Sequence, residues 1–182
     1  DAVEALRAGQ QLMRDGIAEE ALASYRKVAE QYPAASPVQI RQGVHLDLMG
    51  RYAEARTHLA KALTMSLTQG LEAQALRAKA ISHAFEDNRA GAIPLEQKLF
   101  DRHVAYKEDV PAAEIGTELA RVCLEADDFD TAATWYKKAV DTARLTPDLS
   151  AAAKDLWQFR WEHALARLAT RRGNKAQAEV HV

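Results

Sequence analysis

Apolar residues recur along this chain at three- and four-residue intervals, the spacing of one face of an α-helix. Leu71, Ala75, Ala78, Ile81 and Phe85 form one such face. Leu95, Leu99, Phe100, His103 and Tyr106 form another, with Glu86 to Gly91 as the turn between them and Pro94 opening the second helix. A longer register runs through the chain as well. Gly9 is followed at +3 by Leu12, at +7 by Gly16, at +12 by Ala21, at +16 by Tyr25 and at +19 by Val28. The same offsets give Gly43, Leu46, Gly50, Ala55, Leu59 and Ala62, and then Ala120, Cys123, Asp127, Ala132, Tyr136 and Ala139. They return as Ala166, Ala169, Gly173, Ala178 and Val182.

Each position has a steric reason. The first small residue lets a neighbouring helix approach closely. Gly16, Gly50 and Gly173 suit a helix C-terminus that needs a positive φ, and Asp127 is a polar substitute there. The alanine five residues on marks a close crossing near the start of a second helix, and the large residue one turn later fills the space beneath it. Pro33 ends a helix, while Ser36-Pro37 reads as an N-cap followed by proline at the first helical position.

Composition agrees with helix. The chain has 37 alanines against 10 valines, 5 isoleucines and 9 threonines, so few β-branched residues remain for strands. A formal charge of −2 excludes a globally basic nucleic-acid binder. The single cysteine, Cys123, excludes an internal disulfide framework, and no apolar run is long enough to cross a membrane. The chain opens on Asp1 and stops inside a helical pattern, which reads as a fragment or processed product of unassigned compartment, with an uncapped terminal repeat available for self-association.

The recurring pattern resembles the tetratricopeptide repeat, whose signature is Trp-x2-Leu-Gly-x2-Tyr, then Ala-x3-Phe, then Pro. Gly9, Leu12, Ala21, Tyr25 and Pro33 match it best; the leading tryptophan is replaced by Ala5, Gln39, Gly116 and Glu162 in the four matches. The resemblance implies an all-α superhelix, a single solenoid over 1–182 of about five helix-turn-helix repeats, the last incomplete. The repeats fall at about 2–35, 36–69, 70–110, 111–146 and 147–182. The long stretch between Gly50 and Asp127, and the segment from Thr142 to Arg160, point to extended helices like those of roughly 40-residue variants.

No constellation in the sequence points to catalysis or a cofactor. Ser24 and Lys27 have the spacing of some serine acyl-enzymes, yet the register turns both toward solvent. The six histidines lack metal-ligand spacing, no glycine-rich phosphate loop exists, and Cys123 sits where the repeat buries an apolar group. Trp157, Phe159 and Trp161 read as packing rather than as a ligand-stacking platform.

In this family ligands meet the concave face of the first helices. Carried over by register, the groove residues are Gln10, Met13 and Arg14, then Val44, Asp47 and Leu48, then Arg121 and Leu124, and finally Arg160, His163, Arg167 and Arg171. This groove is apolar at its N-terminal end and charged at its C-terminal end. The arginine row has two readings, an anion stripe for an acidic segment or internal pairing of Glu114 with Arg160 and Glu125 with Arg171; pairing is favoured. The lysine and asparagine clamp of chaperone-tail binders is missing, with Leu6, Gln10 and Val44 at its positions. The expected function is a non-catalytic scaffold that binds a peptide or helix of another protein. The alternative is an effector-sensing or regulatory module of a longer protein that binds a small ligand.

Overall fold

The computed structural model describes residues 2–65 and 67–173. Among them are nine α-helices and no strand: α1 Ala2–Arg14, α2 Ala18–Gln31, α3 Ser36–Leu48, α4 Tyr52–Leu63, α5 Gln69–Phe85, α6 Arg89–Ala105, α7 Asp109–Glu125, α8 Phe129–Arg144 and α9 Ala151–Arg171. The chain divides into two compact units, Asp1–Leu95 and Glu96–Val182.

In the first unit the close crossings lie where the register puts small residues. A Cβ on Gly9 would stand 2.5 Å from the Tyr25 ring, and one on Gly43 would stand 2.5 Å from Leu59 Cγ. Those glycines let α1 lie against α2 and α3 against α4. Gly16 and Gly50 end their helices at φ of 77° and 74°, the left-handed region in which a side chain is strained. Burial is local rather than central. Ile40, Leu59, Ala62 and Ala75 form one apolar cluster, and Leu22, Leu46 and Ala55 form another.

In the second unit Ala113, Ala139, Val140, Ala143 and Trp157 make a third cluster, with Trp161 packed partly against it. Three-residue turns join α5 to α6, α6 to α7 and α7 to α8. Their left-handed residues are Asp87, Lys107 and Asp127, at φ between 54° and 58° and 20 residues apart. Two antiparallel 17-residue helices plus two such turns make a 40-residue repeat.

Two local expectations are corrected. Helix α6 begins at Arg89, not Pro94, because Asn88 caps it, its Oδ1 accepting from Gly91 N at 3.0 Å. Pro94 is tolerated inside the helix with its ring exposed to solvent. Ser36 is the first helical residue rather than the N-cap; Ala35 precedes the helix and makes no side-chain cap. The segment from Thr142 to Arg160 holds the end of one long helix and the start of another: the 16-residue α8 stops at Arg144, and Ser150 caps the 21-residue α9, its Oγ accepting from Ala153 N at 3.2 Å. The expected second helix of the last repeat, including Ala178 and Val182, lies outside the described residues.

The structure also places the repeat that the spacing had left unphased. With Asp87 as the turn residue, the offsets give Ala80, His83, Ala92, Glu96 and Leu99, all buried except the half-buried His83. Glu96 stands where the other repeats have Tyr25, Leu59 and Tyr136.

Candidate functional site: two clefts lined by first helices

The first unit carries a cleft of about 330 Å³ whose walls are α1 and α3. Gln10, Met13 and Arg14 come from α1; Arg41, Val44, His45 and Leu48 come from α3; and Tyr25 of α2 closes the floor. Tyr25 is there for a packing reason, since its ring fills the space left by Gly9. Burial raises its hydroxyl pKa, opposed by the charges of Arg41 and then Arg14.

Glutamines hold both arginines. Gln11 Oε1 accepts from Arg14 Nε at 3.2 Å and from Nη2 at 2.6 Å. Gln10, with its amide turned as its surroundings require, accepts from Arg41 Nε and Nη2 at 3.1 Å each. A neutral acceptor fixes the direction of a guanidinium without cancelling its charge. His45 Nε2 lies 2.8 Å from the Ala18 carbonyl oxygen, which makes Nε2 the donor of that hydrogen bond.

A second cleft, of about 230 Å³, lies between α7 and α9 in the second unit. Glu114, Thr117, Glu118 and Arg121 line it from one side, Phe159, Arg160, His163 and Arg167 from the other, and Tyr136 of α8 from below. Burial raises the Tyr136 hydroxyl, with Arg167 and the hydrogen-bonded Arg121 opposing. Arg160 lies over the Trp157 ring at 4.5 Å, and Phe159 stacks on His163 with centroids 6.2 Å apart. The aromatic trio therefore divides: Trp157 is core, Trp161 is half-buried against it, and Phe159 faces the cleft.

Of the twelve groove residues expected from register, Gln10, Met13, Arg14, Val44 and Leu48 line the first cleft, and Arg121, Arg160, His163 and Arg167 the second. Three do not. Leu124 is fully buried, and Asp47 is buried at 6% exposure, its pKa raised chiefly by burial, with Ser82 hydrogen-bonded to it and Arg56 opposing. Both stand four residues after the small residue of their repeat, the offset at which Met13 lines the first cleft. Arg171 is drawn away by acids, with Nη2 2.8 Å from Asp127 Oδ1 and Nη1 3.5 Å from Glu125 Oε2. Arg167 lies 3.8 Å from the same Glu125, and Arg172 lies 2.6 Å from Asp130. Internal pairing thus holds for Glu125 with Arg171. Glu114 and Arg160 share the cleft without an ion pair among the described residues.

The register did not single out Tyr25, Arg41 and His45 for the first cleft. Tyr25 reads as core, and only its hydroxyl end reaches the opening. Arg41 stands two residues before Gly43; Glu118 and Ala164 occupy the same offset in the second cleft. The N-terminal end is accordingly cationic as well as apolar, which corrects the expected gradient. Cys123 is buried and its thiol is raised by burial, reinforced by Asp128 and Glu96, as suits a packing residue. No group of three or more histidine, cysteine, aspartate or glutamate side chains is placed to hold a metal among the described residues. No described helix is long and apolar enough to cross a membrane.

No family model matches the sequence, and no curated protein matches it. Solved structures do match in shape. MamA from Desulfovibrio magneticus RS-1 superposes with a TM-score of 0.69 at 18% identity, over 99% of this chain and 90% of that one. YrrB, described as a TPR protein with an unusual peptide-binding site, gives 0.66 at 15% identity over 100% of this chain and 82% of that one. The kinesin light chain-like TPR repeats of Podosopora anserina give 0.74 at 14% identity, over 98% and 90%. The chain has the tetratricopeptide-repeat fold. Both clefts are made where tetratricopeptide first helices face each other, with a second-helix tyrosine at the base of each.

Proposed function

We propose that this tetratricopeptide chain is a non-catalytic scaffold holding a peptide or helix of another protein against its first helices. One observation carries the reading. The first helices of each unit do not close on one another but leave open clefts, floored by a tyrosine and walled by arginines and by apolar or aromatic side chains. Such a surface combines area to bury with charges that set register and encounter rate. The solved structure of YrrB, described as having a peptide-binding site, supports the same reading by analogy of fold.

The test is site-specific photo-crosslinking in cells with a benzophenone side chain at Val44, at Arg121 or at Lys27. Val44 and Arg121 line the clefts; Lys27 is exposed on α2 and lines neither. A common protein partner crosslinked from Val44 and Arg121 but not from Lys27 supports the scaffold. Equal capture from Lys27, or capture of no protein from either cleft position, counts against it.

A further inference from the structure

We infer that the α1–α3 cleft reads acidic partners: it takes a segment in which an aspartate or glutamate carboxylate stands beside a large apolar side chain. The inference rests on the scaffold reading and adds the chemistry of the partner to it.

Charge placement is the first argument. Arg14 and Arg41 reach one cleft from successive first helices, and no carboxylate lines it. Among the described residues neither arginine has an ion pair; Gln11 holds Arg14 and Gln10 holds Arg41. The second unit behaves in the opposite way, because Glu125, Asp127 and Asp130 take up Arg167, Arg171 and Arg172. The α1–α3 cleft therefore carries two guanidinium groups and no carboxylate, whereas in the second cleft Glu114 and Glu118 stand with Arg121 and Arg160.

Geometry is the second. Each glutamine occupies the Nε and Nη2 donors of its arginine, leaving Nη1 of both guanidinium groups uncommitted. Tyr25 lines the same cleft from α2. Guanidinium donors that line one cleft from α1 and α3 suit the two oxygens of a carboxylate, and preset donors lose less entropy on binding. Beside them Met13 and Val44 are half-buried and Leu48 is 67% exposed, an apolar step that a partner's neighbouring side chain would cover.

Fluorescence anisotropy on the full chain tests this with three labelled peptides of equal length, alternating leucine with glutamate, glutamine or lysine. The Glu/Leu peptide is expected to bind at least tenfold tighter than the Gln/Leu peptide, and the Lys/Leu peptide weakest. Arg14→Gln and Arg41→Gln should each weaken the Glu/Leu peptide about tenfold, whereas Arg26→Gln, exposed on α2 and outside the cleft, should not. Added salt should weaken it too. All three positions are exposed, so helical circular dichroism should match across the variants.

Equal binding of the Glu/Leu and Gln/Leu peptides overturns the assignment of charge but leaves the scaffold standing. Unchanged affinity in both arginine variants overturns the location. Preference for a single-stranded oligonucleotide over the Glu/Leu peptide, lost in the same variants, would give the cleft to nucleic acid and overturn the peptide. Failure of all three peptides to bind also overturns the assignment, and loss of the Val44 crosslink alongside it would take the scaffold reading down as well.

Discussion

Replacing Gly43 with alanine places one methyl group at the tightest point of the α3–α4 hairpin. The added Cβ would lie 2.5 Å from Leu59 Cγ, 2.8 Å from Leu59 Cδ2 and 3.1 Å from the Ala55 carbonyl oxygen. Carbon atoms prefer about 3.5–4.0 Å, so the shortest contact is about an ångström too close. Leu59 cannot swing aside, being fully buried against Ile40, Ala62 and Ala75, and the Ala55 oxygen belongs to the backbone of α4. The helices must part or Leu59 must leave its rotamer, at about 1–3 kcal/mol. Alanine returns about 1 kcal/mol of helix propensity over glycine. With a backbone atom behind the clash, the overpacking term wins, and a net loss of up to about 2 kcal/mol is expected. Gly70→Ala is the control, because it is exposed in the first turn of α5 with nothing within 4 Å of its added Cβ. It should gain a few tenths of a kcal/mol to about 1. Urea unfolding followed by helical circular dichroism gives both midpoints. A Gly43→Ala midpoint at or above that of the parent chain would refute the close-crossing argument.

Burial lifts the Asp47 carboxyl, opposed by the Ser82 hydrogen bond and Arg56. A raised folded-state pKa makes the folded chain the tighter proton binder, so the ionised carboxyl costs stability increasingly as pH rises through that raised value. Asp47→Asn should therefore gain relative to the parent between about pH 4 and about pH 7.5, read from urea midpoints at each; a pH-independent difference refutes the burial argument. Pro94→Ala restores the donor for the Ala90 carbonyl and should stabilise by about 1–2 kcal/mol, less than the ~3 kcal/mol of a buried helix interior, as the ring faces solvent. A lower midpoint would mean that the proline sets the path of α6. The Cys123 thiol, buried and raised, should react with a disulfide reagent only as the chain unfolds, so its rate should follow denaturant; prompt reaction in buffer contradicts the burial.

The helix pairs were legible because their signals are steric and local. Gly16, Gly50, Asp127 and Gly173 take the positive φ that their offset calls for, and Ala21, Ala55 and Ala132 are fully buried at the predicted crossings. The third repeat stayed hidden for one chemical reason. Glu96 occupies the site where an apolar or aromatic group is expected, and a carboxylate is the last residue type that a search for buried positions admits. Gly91, five residues earlier, reads from the sequence as part of the turn. The glycine is instead helical, and a Cβ there would run into the His83 ring. The clefts were legible in part, since a register assigns a face but not the depth of each position on it. At +1, Gln10, Val44, Arg121 and Arg167 all line a cleft, whereas at +4 Met13 lines one but Asp47 and Leu124 are packed away.

Charge needs one more fact than register supplies, namely what stands opposite. Arg14 and Arg171 hold the same offset, five residues after the small residue of their repeats. Arg14 is met by Gln11 of its own helix, whereas Arg171 is met by Glu125 at the end of α7 and by Asp127 in the turn that follows. The turn residue is the deciding element. Where it is glycine, as at Gly16 and Gly50, it gives the chain its left-handed step and nothing else. Where it is aspartate, the same step costs some backbone strain and sets a carboxylate beside the last turn of α9. An aspartate at the repeat's hinge thus does two jobs, ending a helix and neutralising a cation that the register alone would have assigned to a ligand. By the same logic the turn of the preceding repeat decides: Arg41 follows the repeat that turns at Gly16 and no carboxylate lines its cleft, whereas Arg171 follows the repeat that turns at Asp127 and is paired with it.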